Sequence, residues 1–106
     1  LLYPHVRLNE GEGDITLFRV ELRGMRDGAP VHLCADMVDR MDRRTGFTSM
    51  ARTTAFSGAI AARMIARGEI TERGVYTAEE LIDPQRFEKM MEELADNDVR
   101  FEIRSV

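Results

Sequence analysis

The stretch Thr45-Gly46-Phe47-Thr48-Ser49-Met50-Ala51-Arg52-Thr53-Thr54 gathers five hydroxyls and one guanidinium in ten residues. It lies where a helix is expected to begin. The first four amides of a helix have no partner within it, and the aligned peptide dipoles place partial positive charge there. Such an end attracts a carboxylate or phosphate. Gly46 lets backbone approach a ligand closely, and Arg52, about one turn in, can fork onto a carboxylate. On this reading Thr45, Gly46, Thr48, Ser49, Arg52 and Thr53 form a substrate-binding loop. A second reading gives the same residues a purely internal use. Thr48 or Ser49 caps the helix, and Arg52 pairs with Asp36, Asp39 or Asp42. Spacing alone leaves both open.

The remaining chemistry-bearing residues are sparse. Lys89 is the sole lysine, and His5 and His32 are the only histidines. Groups able to move protons near neutral pH are therefore few, and a complete catalytic apparatus is expected elsewhere. No catalytic residue is assigned. Asp36, Asp39 and Asp42 recur every third residue but lack a fourth oxygen ligand for a hard cation. Arg40, Arg43 and Arg44 lie among them, so no metal site is expected. Cys34 is the one cysteine, which excludes an internal disulfide and a cysteine-based zinc site. It has no histidine at readable spacing to activate it as a nucleophile. Gly11-Glu12-Gly13 lacks the preceding strand, the following helix and the third glycine of a dinucleotide fingerprint.

These residues need elements to hold them. From Asp14 to Arg23 the pattern alternates, with Thr16, Phe18, Val20 and Leu22 on one face. Asp27-Gly28 favours a hairpin turn, and Val31, Leu33, Ala35 and Met37 make the return strand. Thr48–Arg67 reads as a helix with Phe56, Ile60 and Met64 spaced by four, closed by Gly68. Gly58, Ala59 and Ala62 make part of its surface small, suiting close packing on a sheet or a second subunit. Thr77 and Glu80 form a capping box opening a short turn. Asp83 and Pro84 start a second main helix with an apolar stripe of Phe87, Met90, Met91 and Leu94. Val99, Phe101 and Ile103 alternate as a last strand. The expected fold is α+β, in the order β-β-α-α-β, with helices on one face of a small antiparallel sheet.

At 106 residues and 12.1 kDa the chain has room for one domain. The expected division is an irregular linker over 1–13, arriving from a missing upstream domain, and an α+β domain over 14–106. The first residue is Leu1 rather than Met, so a fragment is expected. Apolar residues at 43% and charged residues at 32% indicate a globular chain. A net charge of −4, with no basic arm, argues against general nucleic-acid binding. No apolar run suits a membrane span, and no secretory signal is visible. One unpaired cysteine fits a reducing, cytoplasmic setting.

The span from about Asp14 to Val106 resembles the carboxy-terminal, substrate-side domain of the saccharopine dehydrogenase-like oxidoreductases. Val20-Glu21-Leu22-Arg23-Gly24 carries the likeness before the hairpin. Thr45 through Thr54 carries it most specifically. Met64-Ile65-Ala66-Arg67-Gly68, then Gly74-Val75 and Ala78-Glu79, support it by order and spacing. The resemblance implies a companion Rossmann domain that binds NAD or NADP and a reaction on the C–N bond of an amino-acid or imine substrate, as in lysine metabolism. It also implies a homodimer and a Thr45–Thr54 segment facing the cleft between domains. A fragment without the Rossmann domain would be inactive alone. The alternative is a dimerisation or interaction module with no ligand site, using the small-residue surface of the 48–67 helix or the sheet face bearing His32 and Cys34.

Overall fold

The structure, a computed structural model, describes residues 8–106. His5 and the first seven residues of the expected linker lie outside the described residues; residues 8–13 are irregular, with a turn at Glu10-Gly11. The elements are β1 (Ile15–Arg26), β2 (Ala29–Arg40), α1 (Ser49–Ala66), α2 (Ala78–Leu81), α3 (Pro84–Asp96) and β3 (Phe101–Ser105). This is the expected α+β class, with α2 as a single turn between the two main helices. The sheet is antiparallel in the order β1-β2-β3.

The hairpin is tighter than expected. Asp27 and Gly28 both take positive φ, 52° and 78°. Only two residues are needed for such a turn, and its twist matches that of the strands. Pairing therefore continues to Arg26 opposite Ala29, several residues beyond the expected strand ends.

Local signals set the helix boundaries. The Thr48 hydroxyl accepts from the Ala51 amide at 3.1 Å at the start of α1. At its end Gly68 has φ +73°. The amides of Gly68 and Glu69 return to the carbonyls of Ile65 and Met64, closing the helix in a left-handed cap. Asp83 accepts from the Arg86 amide at 2.8 Å, with Pro84 following it in the first turn of α3. Glu80 accepts from the Thr77 amide at 2.9 Å.

The core lies between α1, α3 and the approach to β3. Ile60, Met64, Ile70, Leu94 and Val99 are buried there, with Phe56, Met90, Met91 and Phe101 packed against them. Phe18 meets Phe101 edge to face, with centroids 5.6 Å apart. The helices lie on one face of the sheet, but they cover only one end of it. Met37 is buried, whereas Val20, Leu22 and Ile103 remain 48%, 55% and 58% exposed. The far half of the hairpin projects beyond the helical layer.

Candidate functional site

An open groove of about 600 Å³ lies beside the Thr45–Arg52 junction. The end of β2, the 42–47 loop, the first turns of α1 and the end of α3 form its walls. Four carboxylates, Asp39, Asp42, Asp96 and Asp98, and three guanidinium groups, Arg40, Arg44 and Arg52, line it, with Thr45, Phe47 and Phe56. A lining of both signs suits a ligand that itself carries both charges.

The 42–47 loop is closed by backbone bonds. The Gly46 amide donates to the Asp42 carbonyl at 2.8 Å, and the Asp42 amide donates to the Phe47 carbonyl at 2.9 Å. Gly46 has φ +78°, where a side chain would strain the turn. The Thr45 hydroxyl donates to the Asp42 carboxylate at 2.7 Å, and the Arg44 amide does so at 2.9 Å. These bonds, the hydroxyl's foremost, hold the Asp42 carboxyl below its usual pKa. The Arg44 side chain is 85% exposed at the rim, 3.6 Å from Asp42.

The amides expected to be free at the start of α1 are all occupied. Ser49 and Met50 donate to the two oxygens of Asp14, at 2.6 and 2.9 Å. Ala51 donates to the Thr48 hydroxyl, and the Arg52 amide donates to the Thr48 carbonyl at 3.0 Å. The expectation of unpaired amides orienting a ligand is corrected here. The helix has no acidic residue in its first turn, and Asp14, from the segment before β1, supplies the anion. Desolvation pushes the Asp14 carboxyl up, but the Met50 and Ser49 amides outweigh it and leave the group below its usual value. Ser49 is fully buried, its hydroxyl donating to that of Thr16 at 2.7 Å. The Thr53 hydroxyl donates back to the Ser49 carbonyl at 2.9 Å.

Arg52 is 7% exposed and Asp39 4%. The Arg52 Nε lies 3.2 Å from Asp39 Oδ1, and Nη2 donates to the Asn97 carbonyl at 3.0 Å. Its Nη1 points toward Asp42 at 3.8 Å, and the guanidinium carbon sits 5.6 Å from the Phe56 ring centroid. The internal pairing weighed from the sequence is thus what the structure shows for Arg52, with Asp39 as chief partner. Asp36 instead pairs with Arg19 and with Arg104 at 2.8 Å.

Of the six candidate residues, Thr45 and Arg52 line the groove, Gly46 shapes its loop, Thr48 and Thr53 bond within the helix start, and Ser49 ties that start to Asp14 and Thr16. The sequence reading missed Asp14 and the Asn97 carbonyl. Both act across long chain separations, and no local spacing marks them. Cys34 is buried on the other sheet face, its thiol 3.7 Å from Asp36 and 3.8 Å from Arg104. His32, beside it, lies 3.4 Å from Glu21. Among the described residues no group of three or more His, Cys, Asp or Glu could hold a metal ion. No helix among them is long and apolar enough to cross a membrane.

The residues present do not fit a nicotinamide dinucleotide. Gly11 and Gly13 precede β1 with no strand before them among the described residues, and no helix opens after them. A pyrophosphate needs a glycine turn leading into free helical amides, and those of α1 are taken by Asp14 and Thr48. A family model described as "Saccharopine dehydrogenase C-terminal domain" matches residues 1–99. No solved structure matches the chain.

Proposed function

The chain belongs to the saccharopine dehydrogenase C-terminal domain family, and from that premise we propose that it is the substrate-side domain of an NAD(P)-dependent oxidoreductase. The reaction is on the CH–NH group of an amino-acid or imine substrate. A companion Rossmann domain holds the dinucleotide and supplies the hydride chemistry; the chain described here lines the cleft and does not catalyse alone. The division into a linker over 1–13 and a domain over 14–106 belongs to the same proposal.

The observation that carries this reading is the groove's mixed charge. An amino acid presents a carboxylate and an ammonium a few ångströms apart. Arg44 offers a cation at the rim, and Asp96 and Asp98 offer anions in the same lining. Thr45 orients the Asp42 carboxylate. Thr48, Ser49 and Thr53 serve the site indirectly, by fixing the start of α1 that carries Arg52. In the intact enzyme, Arg44→Ala is expected to raise substrate KM about tenfold, on the scale of one charge-assisted hydrogen bond. Cofactor KM should stay within about twofold. Steady-state kinetics with each varied in turn checks this. Equal, near-unit effects on both would remove the groove from the substrate site.

A second reading, an interaction module, is favoured by the sheet. Its uncovered half presents Val20, Leu22 and Ile103 to solvent, and apolar patches of this kind mark contact surfaces. The two readings are compatible, because groove and uncovered half occupy different parts of the fold.

A further inference from the structure

We propose that Phe47 is the specificity-determining residue of the groove: the carbon chain of an amino-acid ligand lies along its ring, so that affinity rises with chain length. The proposal rests on the substrate-side reading above and deepens it.

The charges of the groove can recognise only the head of such a ligand. Carboxylate and ammonium are common to every α-amino acid, so Arg44 and the carboxylates of the lining cannot tell one from another. Discrimination must come from whatever meets the side chain. Three apolar residues share the lining, and they come from three parts of the fold: Val38 from β2, Phe47 from the 42–47 loop and Phe56 from α1. An exposed apolar side chain standing alone is ordinary. Three gathered inside a charged concavity make a patch that a ligand can cover. Val38 and Phe47 are 55% and 52% exposed, so the patch has water to lose on binding. Phe56 packs against the core, which leaves Phe47 as the aromatic surface open to a ligand.

Phe47 is also held before a ligand arrives. Its carbonyl accepts from the Asp42 amide at 2.9 Å, and its own amide donates to the Thr45 hydroxyl at 3.4 Å. Gly46, at φ +78°, makes the turn that delivers it. Its ring stands edge-on to that of Phe56, with centroids 6.2 Å apart and planes at 89°. Phe56 in turn lies against the Arg52 guanidinium, which is buried with Asp39. A ring fixed at its backbone and against a neighbour, yet half exposed, loses little conformational freedom when a ligand covers it. The loop thereby joins two tasks. Thr45 and Asp42 set the polar side of the groove, and Phe47, bridged to Asp42, sets the apolar side.

The test is calorimetric titration of the intact protein with L-alanine, L-norvaline and L-norleucine, which share one head and differ only in unbranched chain length. Each methylene taken out of water is worth up to about fourfold in affinity. We expect norleucine to bind about tenfold or more tightly than alanine. Phe47→Ala should bring that ratio down to about twofold, and Phe47→Leu, which restores apolar surface without the ring, should recover much of it. Phe47→Gln, which keeps the bulk and removes the apolar surface, carries the same expectation as Phe47→Ala should that variant fail to fold. Arg44→Ala should weaken alanine and norleucine alike, by about tenfold, and leave the ratio intact. A parent protein with no preference for chain length, or a ratio that Phe47→Ala and Phe47→Gln leave unchanged, overturns the role of Phe47 and leaves the groove standing as the head-group site. Binding that ignores Arg44→Ala as well as both Phe47 variants removes the groove from the substrate site and overturns the two readings together.

Discussion

Arg52 illustrates how one side chain can hold a site without being free to serve it. Its guanidinium ties the end of β2, through Asp39, to the end of α3, through the Asn97 carbonyl. Asp39 is 4% exposed, so losing the guanidinium leaves its carboxylate without its chief partner. A buried carboxylate left without its partner costs roughly 3–5 kcal/mol. Arg52→Ala is therefore expected to lose about 3 kcal/mol of stability, measured by denaturant unfolding, before any effect on substrate is considered. The double variant Arg52→Ala/Asp39→Ala should lose much less than the sum of the two single changes, because the stranded charge is gone. Additive losses would show that the two groups act independently. Arg44, with most of its side chain in solvent, is the cleaner probe of binding.

At the scale of elements, Asp14 does for α1 what no residue of that helix does. Its two oxygens take the first two amides, and a carboxylate there also complements the helix dipole. Asp14→Ala should cost about 1–2 kcal/mol, near the upper range for losing a helix cap. Thermal unfolding checks it, and a change below a few tenths of a kcal/mol would mean that water serves those amides equally well. This contact also shows where reading a sequence stops. The Thr48 cap, the Asp83-Pro84 start, the Gly68 stop and the Asp27-Gly28 turn were legible because each bond closes within a few residues. The partner of the Ser49 amide lies 35 residues upstream, and nothing in the spacing of Asp14 marks it. The alternation of Thr16, Phe18, Val20 and Leu22 likewise told which face of β1 is apolar. It carried no information on how far the helices reach along that face, because burial depends on packing between elements distant in the chain. The candidate site was legible in the same uneven way: its loop and its arginine were found, but their internal partners became visible only once strand and helix ends converged.

For the molecule as a whole, the projecting hairpin dominates the shape. The radius of gyration is 16.9 Å, against about 13 Å for a compact chain of this length. Stability therefore leans on a small core and on charged groups around it, which makes pH the natural global probe. Arg19 beside Asp36, Arg67 beside Glu69 and Arg86 beside Glu72 hold those carboxyls below their usual values. The Thr45 hydroxyl does so for Asp42, and the amides of α1 do so for Asp14 against an opposing desolvation. All five shifts have the same sign. In the unfolded chain these groups take up protons around about pH 4; in the folded chain they do so only at lower pH. Unfolding thus binds protons in that window, so stability is complete above it and falls as pH drops through the lowered folded values. The melting temperature should hold steady from about pH 7 to about pH 5 and then fall toward pH 3. High salt should weaken the share due to the exposed Arg19–Asp36 pair but leave the share due to Asp14, whose partners are neutral amides. Asp14→Asn, which cannot titrate, should flatten that salt-resistant part of the fall. A wild-type melting temperature that is level down to pH 3, or an Asp14→Asn variant with the same salt-resistant slope, would show that these carboxylates titrate alike in the folded and unfolded chain.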